Sequence, residues 1–434
     1  MRIYQKLKAS PGFVRYFANT SWVVFGNILR LIVGLLVGVY VARYLGPEQF
    51  GLLNYSVAVV SLFGAFATLG LDSIVIRELV KAPERRDELL GTAAIMKFTG
   101  AILMLVVILV GLQFTSEDDY TIMLVGIIAS SYLLQAVYVV DYHFQATVHS
   151  KYIVIAQFIQ VFIGSIIKIC FVLTDAPLYL FAVAALIDSM LLATGLIWSY
   201  YTKVGSIFAW RFRAVRAVNL LKDSWPLILS TFAIMIYMRI DQVMIKNMLD
   251  NEAVGIYVAA VKLSEAWYFL PMAITASLFP AIINAKKESE ELYMERLQKL
   301  HNLLAFMSIA IAVLGTLLSL YIVKILYGQA YISAAPVLSI YLWAGLFVVL
   351  GTASSKFLIA ENMQLRAFFR TFSGMIINIL MNLILIPHFG INGAAIATLV
   401  SYAFAGYLYD IFDPKCRAMF VIKTKAIFGF WRLT

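Results

Sequence analysis

Residues 224–248 read SWPLILSTFAIMIYMRIDQVMIKNM. The stretch is long and apolar enough to cross a bilayer, yet it carries Arg239 and Asp241 close to its middle. A hydrocarbon core about 30 Å thick needs about 20 helical residues at roughly 1.5 Å each, which puts Arg239 near mid-membrane. A charge at that depth costs about 2.5–3.5 kcal/mol on insertion scales and is tolerated where it faces a bundle interior or a watery cavity. The rest of the chain has to supply that interior.

Composition agrees. Hydrophobic residues make up 62% of the 434 and charged ones only 13%, against about 25% charged in soluble domains. The chain is therefore an integral membrane protein. Its two cysteines, Cys170 and Cys416, have neither a disulfide framework nor metal-ligand spacing and read as free thiols. No phosphate-binding G-x-x-x-x-G-K-[ST] loop, H-E-x-x-H or G-x-S-x-G is present, so ATP hydrolysis and the common hydrolytic chemistries have no motif here.

Apolar spans read at 17–42, 51–76, 89–114, 120–145, 152–174, 177–201, 224–248, 254–283, 300–327, 333–357, 367–388 and 391–412. That predicts twelve transmembrane helices. With the N-terminus inside, 25 of the 34 Lys and Arg fall in inner segments and three, Arg43, Lys246 and Lys324, in outer loops. This is the positive-inside pattern, with both termini cytoplasmic. The net charge of +10 is thus topological and no sign of nucleic acid.

The longest inner connection halves the chain. It gives an N-terminal lobe over 1–202, a linker over 203–223, a C-terminal lobe over 224–412 and a basic tail over 413–434. LGPEQFG at 45–51 answers LDNEAVG at 249–255, with Leu, Glu and Gly each recurring 204 residues later. Six-span halves entering from the same side form a parallel repeat, whose substrate site is expected between the halves near mid-depth. Counting along each span, Arg30, Arg239, Asp241, Lys262, Glu265 and Asp188 fall within about two turns of the midplane. Lys97 lies to its inner side and Lys168 to its outer side. Five bases against three acids leave a cationic surplus in the membrane, which a hydrated cavity admitting an anion would relieve.

Plainer readings stand beside this one. Lys262 and Glu265, three apart, also fit a local ion pair. Asp241 can pair with a base on a neighbouring helix, and Lys97 and Lys168 can snorkel. His143, His301 and the group Asp72, Arg77 and Glu78 read as interfacial polarity. Pro226 is expected in the first turn of span 7, Pro271 as a kink in span 8 and Pro280 at its inner end. Gly34 and Gly38 read as a small-xxx-small contact. The tail, with Met419, Phe420, Phe428, Phe430 and Trp431, reads as a membrane-surface segment.

Several of these stretches also carry a family resemblance: VARYLGPEQFGLLNYSVAV (41–59), LGLD (69–72), MRIDQVMI (238–245), VGIYVAAVKLSE (254–265), LFP (278–280), YGQAYISAAPVL (327–338) and IPHFGINGAAIATLVSYAF (386–404). Together they resemble the polysaccharide or O-antigen flippases of the multidrug/oligosaccharidyl-lipid/polysaccharide exporter superfamily. The resemblance implies two six-helix lobes around a central cavity that opens alternately to either side. It implies a substrate too, an undecaprenyl-diphosphate-linked oligosaccharide such as a lipopolysaccharide O-antigen unit, moved from the inner to the outer leaflet of a bacterial inner membrane. Glycan polymerase and export proteins are the partners it brings. On that basis Arg30, Lys97, Lys168, Arg239 and Lys262 are the candidate contacts to the anionic head. Asp188, Asp241 and Glu265 are the candidates for balancing charge or coupling a proton or sodium ion, and no other cofactor is expected. A small-molecule antiporter of the multidrug branch is the first alternative. A membrane glycan polymerase or transferase is the second, disfavoured by the short outer loops.

Overall fold

The computed structural model describes residues 11–361 and 363–429. Among them the regular structure is helical: α1 Pro11–Thr68, α2 Asp72–Lys81, α3 Arg86–Leu112, α4 Asp119–Leu134, α5 Val139–Ala146, α6 Lys151–Leu173, α7 Leu178–Lys203, α8 Ala214–Met248, α9 Asn251–Glu265, α10 Phe269–Lys286, α11 Glu290–Leu326, α12 Ala334–Ala360, α13 Gln364–Ala403, α14 Tyr409–Phe412 and α15 Arg417–Phe428. A π-helical turn, Phe404–Leu408, joins α13 to α14. Starts are marked by side-chain caps where the sequence supplies them. Asp250 accepts from the Ala253 N–H at 2.7 Å and Ser289 from the Leu292 N–H at 3.0 Å, each satisfying an orphan donor of the first turn.

Among the described residues ten helical runs are long and apolar enough to cross a membrane, so the chain is a multi-pass membrane protein. The expected twelve do not appear as twelve separate helices. Spans 1 and 2 form one run, Gly26–Lys81, and spans 11 and 12 form another, Leu365–Phe412. Each long run contains a glycine outside helical geometry, Gly46 (φ 71°, ψ 170°) and Gly390 (φ 56°, ψ −140°). Positive φ is a conformation glycine adopts without the Cβ penalty. Span 2 is also interrupted, at Leu69 and Gly70, both with positive φ. A Cβ on Gly70 would stand 2.9 Å from Leu227 Cβ, so the backbone of α8 requires the bare glycine.

Several local expectations are corrected. Pro226 lies inside α8, which begins at Ala214, and Pro280 lies inside α10, which continues to Lys286. The break in span 8 falls at residues 266–268, just ahead of Pro271, which occupies the first turn of α10 where its missing N–H costs little. Gly34 and Gly38 face open space, since nothing lies within 4 Å of a Cβ built there. His301 is fully buried, with Nδ1 2.8 Å from Leu297 O. The tail forms α15, whose Met419, Ile422, Lys423 and Ala426 are buried and which packs on α11. Phe430 and Trp431 fall outside the described residues.

The chain divides into two compact units. The first takes the chain up to Val41 with Ser56–Met235, and the second takes Ala42–Tyr55 with the chain from Ile236 onward. The loop after span 1 thus belongs with the second unit. In the first, Leu71, Val75, Leu89, Leu90, Val139, Val140 and Tyr200 belong to one buried core. In the second, Tyr293, Leu297, Leu300, Leu304 and Leu358 pack together with Met419 of α15.

The matched motifs of the internal repeat meet inside the second unit. A Cβ on Gly51 would stand 1.7 Å from Asn251 O, and a Cβ on Gly255 would stand 1.9 Å from Pro47 O. The contact is reciprocal, because residue 51 meets 251 and residue 255 meets 47, with the same 204-residue offset as the sequence match.

Candidate functional site

Each mid-membrane charge is placed by its own helix. In the first unit, Gly164 and Lys168 lie one turn apart on α6 and face Asp188 of α7. A Cβ on Gly164 would stand 2.0 Å from Asp188 Oδ1, so the glycine makes room for the carboxylate. Lys168 Nζ then donates to Asp188 Oδ2 at 2.5 Å, with side chains 30% and 18% exposed. Asp188 Oδ1 has no hydrogen-bond partner. This is a fixed ion pair between adjacent helices. Lys168 does not snorkel.

Lys97, 4% exposed on α3, donates to Tyr142 Oη of α5 at 2.9 Å. Tyr142 Oη in turn donates to Asp72 Oδ1 at the start of α2. Asp72 therefore belongs to a chain that ends on a buried lysine. Only Arg77 and Glu78 of the expected interfacial group behave as read, with Arg77 bridging Glu78 at 3.0 Å and Asp223 at 2.6 Å. Arg30 of α1 donates to Gln157 Oε1 of α6, a neutral partner.

In the second unit, Lys262 of α9 donates to Asn54 Oδ1 at 2.9 Å and stands 4.7 Å from the centroid of the Phe50 ring. The loop-and-helix segment that joins this unit from the chain's beginning thus holds the lysine. Asp241 is 4% exposed on α8. Its Oδ2 accepts from Tyr257 Oη at 2.5 Å, so the partner is a neutral hydroxyl where the sequence suggested a base. Tyr257 continues into a buried polar cluster. Its hydroxyl lies 3.4 Å from Thr398 Oγ1, and Asn378 Nδ2 reaches both Thr398 at 3.4 Å and Ser401 Oγ at 3.3 Å. Asn382 donates to Asn378 Oδ1 at 3.0 Å, while its own Oδ1 has no partner.

Arg239 and Glu265 differ from the rest. Neither makes a hydrogen bond or an ion pair within 4.0 Å among the described residues, although the charges of Arg239 and Lys262 both act on Glu265. An arginine fork with five unused donors in a membrane span is suited to a planar or phosphate anion.

Two further buried cations, among the described residues, have no signal of that kind in the sequence. Arg370, counted there as an inner-loop residue, is 5% exposed and donates to Ser354 Oγ at 2.8 Å, Gly351 O at 2.9 Å and Ser355 Oγ. Lys423, fully buried, donates to Asp410 Oδ2 at 2.6 Å and to Gly406 O in the π-helical turn at 2.7 Å. The intrahelical carbonyl register is broken by the π turn, which leaves Gly406 O available to the lysine. Among the described residues no group of three or more His, Cys, Asp and Glu side chains is arranged to hold a metal ion.

Residues 16–286 match the family described as "Polysaccharide biosynthesis protein". The chain is 24% identical to the "Probable flippase AglR" of Haloferax volcanii, an alignment covering 92% of this chain and 83% of that one. Its fold is similar to that of "Lipid II flippase MurJ, inward closed conformation", with TM-score 0.72, 16% identity and coverage of 94% and 91%. It is similar also to the inward-facing conformation of a multidrug resistance MATE family transporter of the MOP superfamily, with TM-score 0.70, 12% identity and coverage of 93% and 95%.

Proposed function

Since the chain belongs to the polysaccharide biosynthesis protein family and is a flippase-type transporter rather than an enzyme, we propose that its substrate is an undecaprenyl-diphosphate-linked oligosaccharide. The head group crosses from the inner to the outer leaflet of a bacterial inner membrane by ATP-independent alternating access, through twelve passes with both termini inside. Counting the runs broken at Gly46 and Gly390 as two passes each supports that number. The lipid chain stays in the bilayer while the polar head meets the basic side chains. The observation that carries this reading is Arg239, a cation in an apolar span whose guanidinium has no bonded partner among the described residues. An unpaired charge in that setting is costly, and a diphosphate relieves the cost only while the substrate is bound.

Arg239 is the first contact to the anionic head, with Arg30 and Lys262 as supporting cations, while Lys97 is tied through Tyr142 to Asp72. Lys168 is neutralised by Asp188 and serves as structure. Asp241 or Glu265 carries coupling to a proton or sodium ion, Asp241 being the better framed by oxygens. The test is leaflet-resolved accessibility of an undecaprenyl-diphosphate oligosaccharide in proteoliposomes without ATP. Wild type should expose the glycan outside, Arg239→Ala should abolish this while remaining folded, and Arg239→Lys should restore it partly. Exchange of a small cation for protons with no glycan movement would favour the multidrug-type antiporter instead.

A further inference from the structure

A cleft of about 250 Å³ opens between the first half of α1 and α6, both in the first unit, and its lining is almost wholly apolar: Leu29, Val33, Val154, Phe158, Val161 and Phe162 form most of its wall. Gly26 closes one end, since a Cβ there would stand 2.6 Å from Val154 Cγ1. One turn further along both helices Arg30 donates to Gln157, and these two, with Trp22, supply the polar groups of the lining. Beyond them Phe158 and Phe162 remain 50% and 58% exposed, so the cleft is open along its side.

An apolar trough with one cation is a poor seat for a sugar, which needs many hydrogen-bond partners, and a good one for a hydrocarbon chain bearing an anionic end. Arg30 makes no ion pair among the described residues. Its depth identifies the lipid further. An ordinary phospholipid keeps its phosphate in the headgroup region, about 15 Å from the centre of a 30 Å core, whereas Arg30 lies near the middle of span 1. Only a lipid whose phosphate is drawn to mid-depth fits both features.

Resting on the transport reading above, we infer that the α1–α6 cleft binds the proximal part of a prenyl chain, with its phosphate or diphosphate on Arg30. Gln157 holds the guanidinium in place in the absence of ligand. The cleft thereby keeps the carrier chain beside the protein while its head crosses.

The experiment uses the full-length protein in phosphatidylcholine nanodiscs and a photoreactive prenyl diphosphate probe. Label is expected on peptides covering residues 22–33 and 154–162, displaced by unlabelled prenyl diphosphate and not by an equal amount of phosphatidylglycerol. Val161→Trp, which fills the trough, should cut this labelling at least about tenfold. Arg30→Gln, which leaves the trough open, should erase the preference for the diphosphate over the matching prenyl alcohol; both variants are compared at an unchanged thermal transition. Label elsewhere, or equal displacement by phosphatidylglycerol, overturns the inference and in the second case marks an ordinary lipid seat. Glycan transfer without cleft labelling sinks the cleft alone. Cleft labelling without glycan transfer sinks the transport reading alone.

Discussion

Arg30 apart, the two units treat their membrane-embedded charges differently. In the first, Lys168 is locked to Asp188 at 2.5 Å, and Lys97 is tied through Tyr142 to Asp72. In the second, Asp241 accepts from Tyr257 and Lys262 donates to Asn54. Arg239 and Glu265 make no bond among the described residues. A charge tied to an opposite charge contributes to architecture. A charge left without a bonded partner keeps its attraction for something that comes and goes, so formally similar spans divide into structural and responsive ones.

That contrast can be broken by mutation. The largest effect is expected from Asp188→Leu, which strands Lys168 in the span; loss of one member of a buried pair costs about 3–5 kcal/mol, and the residual exposure here places it near 3. Thermal unfolding in detergent measures it, and Lys168→Met with Asp188→Leu should recover most of the loss. Equal stability of the single and double variants would remove the pair from the structural class. Next comes Lys97→Met, which deprives Tyr142 of its donor and should cost about 1–3 kcal/mol by the same assay.

Lys423 sharpens the comparison within the second unit, because it is a fully bonded charge there. Burial holds it down to about 8 from 10.5, against the pull of Asp410. Between these values the unfolded chain keeps a proton that the folded protein has lost, so stability should rise with pH across that window. It should be flat with respect to this group below it. The measurement is the difference between wild type and Lys423→Met across pH 7–11, which cancels the opposing change from Cys416, raised by burial to about 11. The smallest stability effect is expected at Arg239→Ala, within about 0.5 kcal/mol of wild type, together with loss of glycan transfer. A destabilisation as large as that of Asp188→Leu would show that Arg239 is held after all.

The spans, the membrane class and the depth of each charge were legible because they depend on sums along one helix, as in 224–248. Partners were less so. Tyr142, Tyr257 and Asn54 are ordinary residues in their own segments, and only packing brings them to Lys97, Asp241 and Lys262. Asp72 looked interfacial because its neighbours Arg77 and Glu78 are. Arg370 stands beside a loop in the sequence, although Ser354 and Ser355 one helix away hold it in a buried position. The break in span 8 is legible from Pro271, which it immediately precedes. The departures at Gly46, Gly70 and Gly390 are not, because there a positive φ decides.

The reciprocal contact of Gly51 and Gly255 has a meaning in the language of inheritance. Every single-base change in the first two positions of a glycine codon introduces a side chain or a stop, and at either position the first added carbon meets a carbonyl oxygen less than 2 Å away. A change at one glycine finds no relief at the other, since each is already as small as a residue can be. Neither of the two codons, 204 apart in the gene, is therefore free to change while that contact stands.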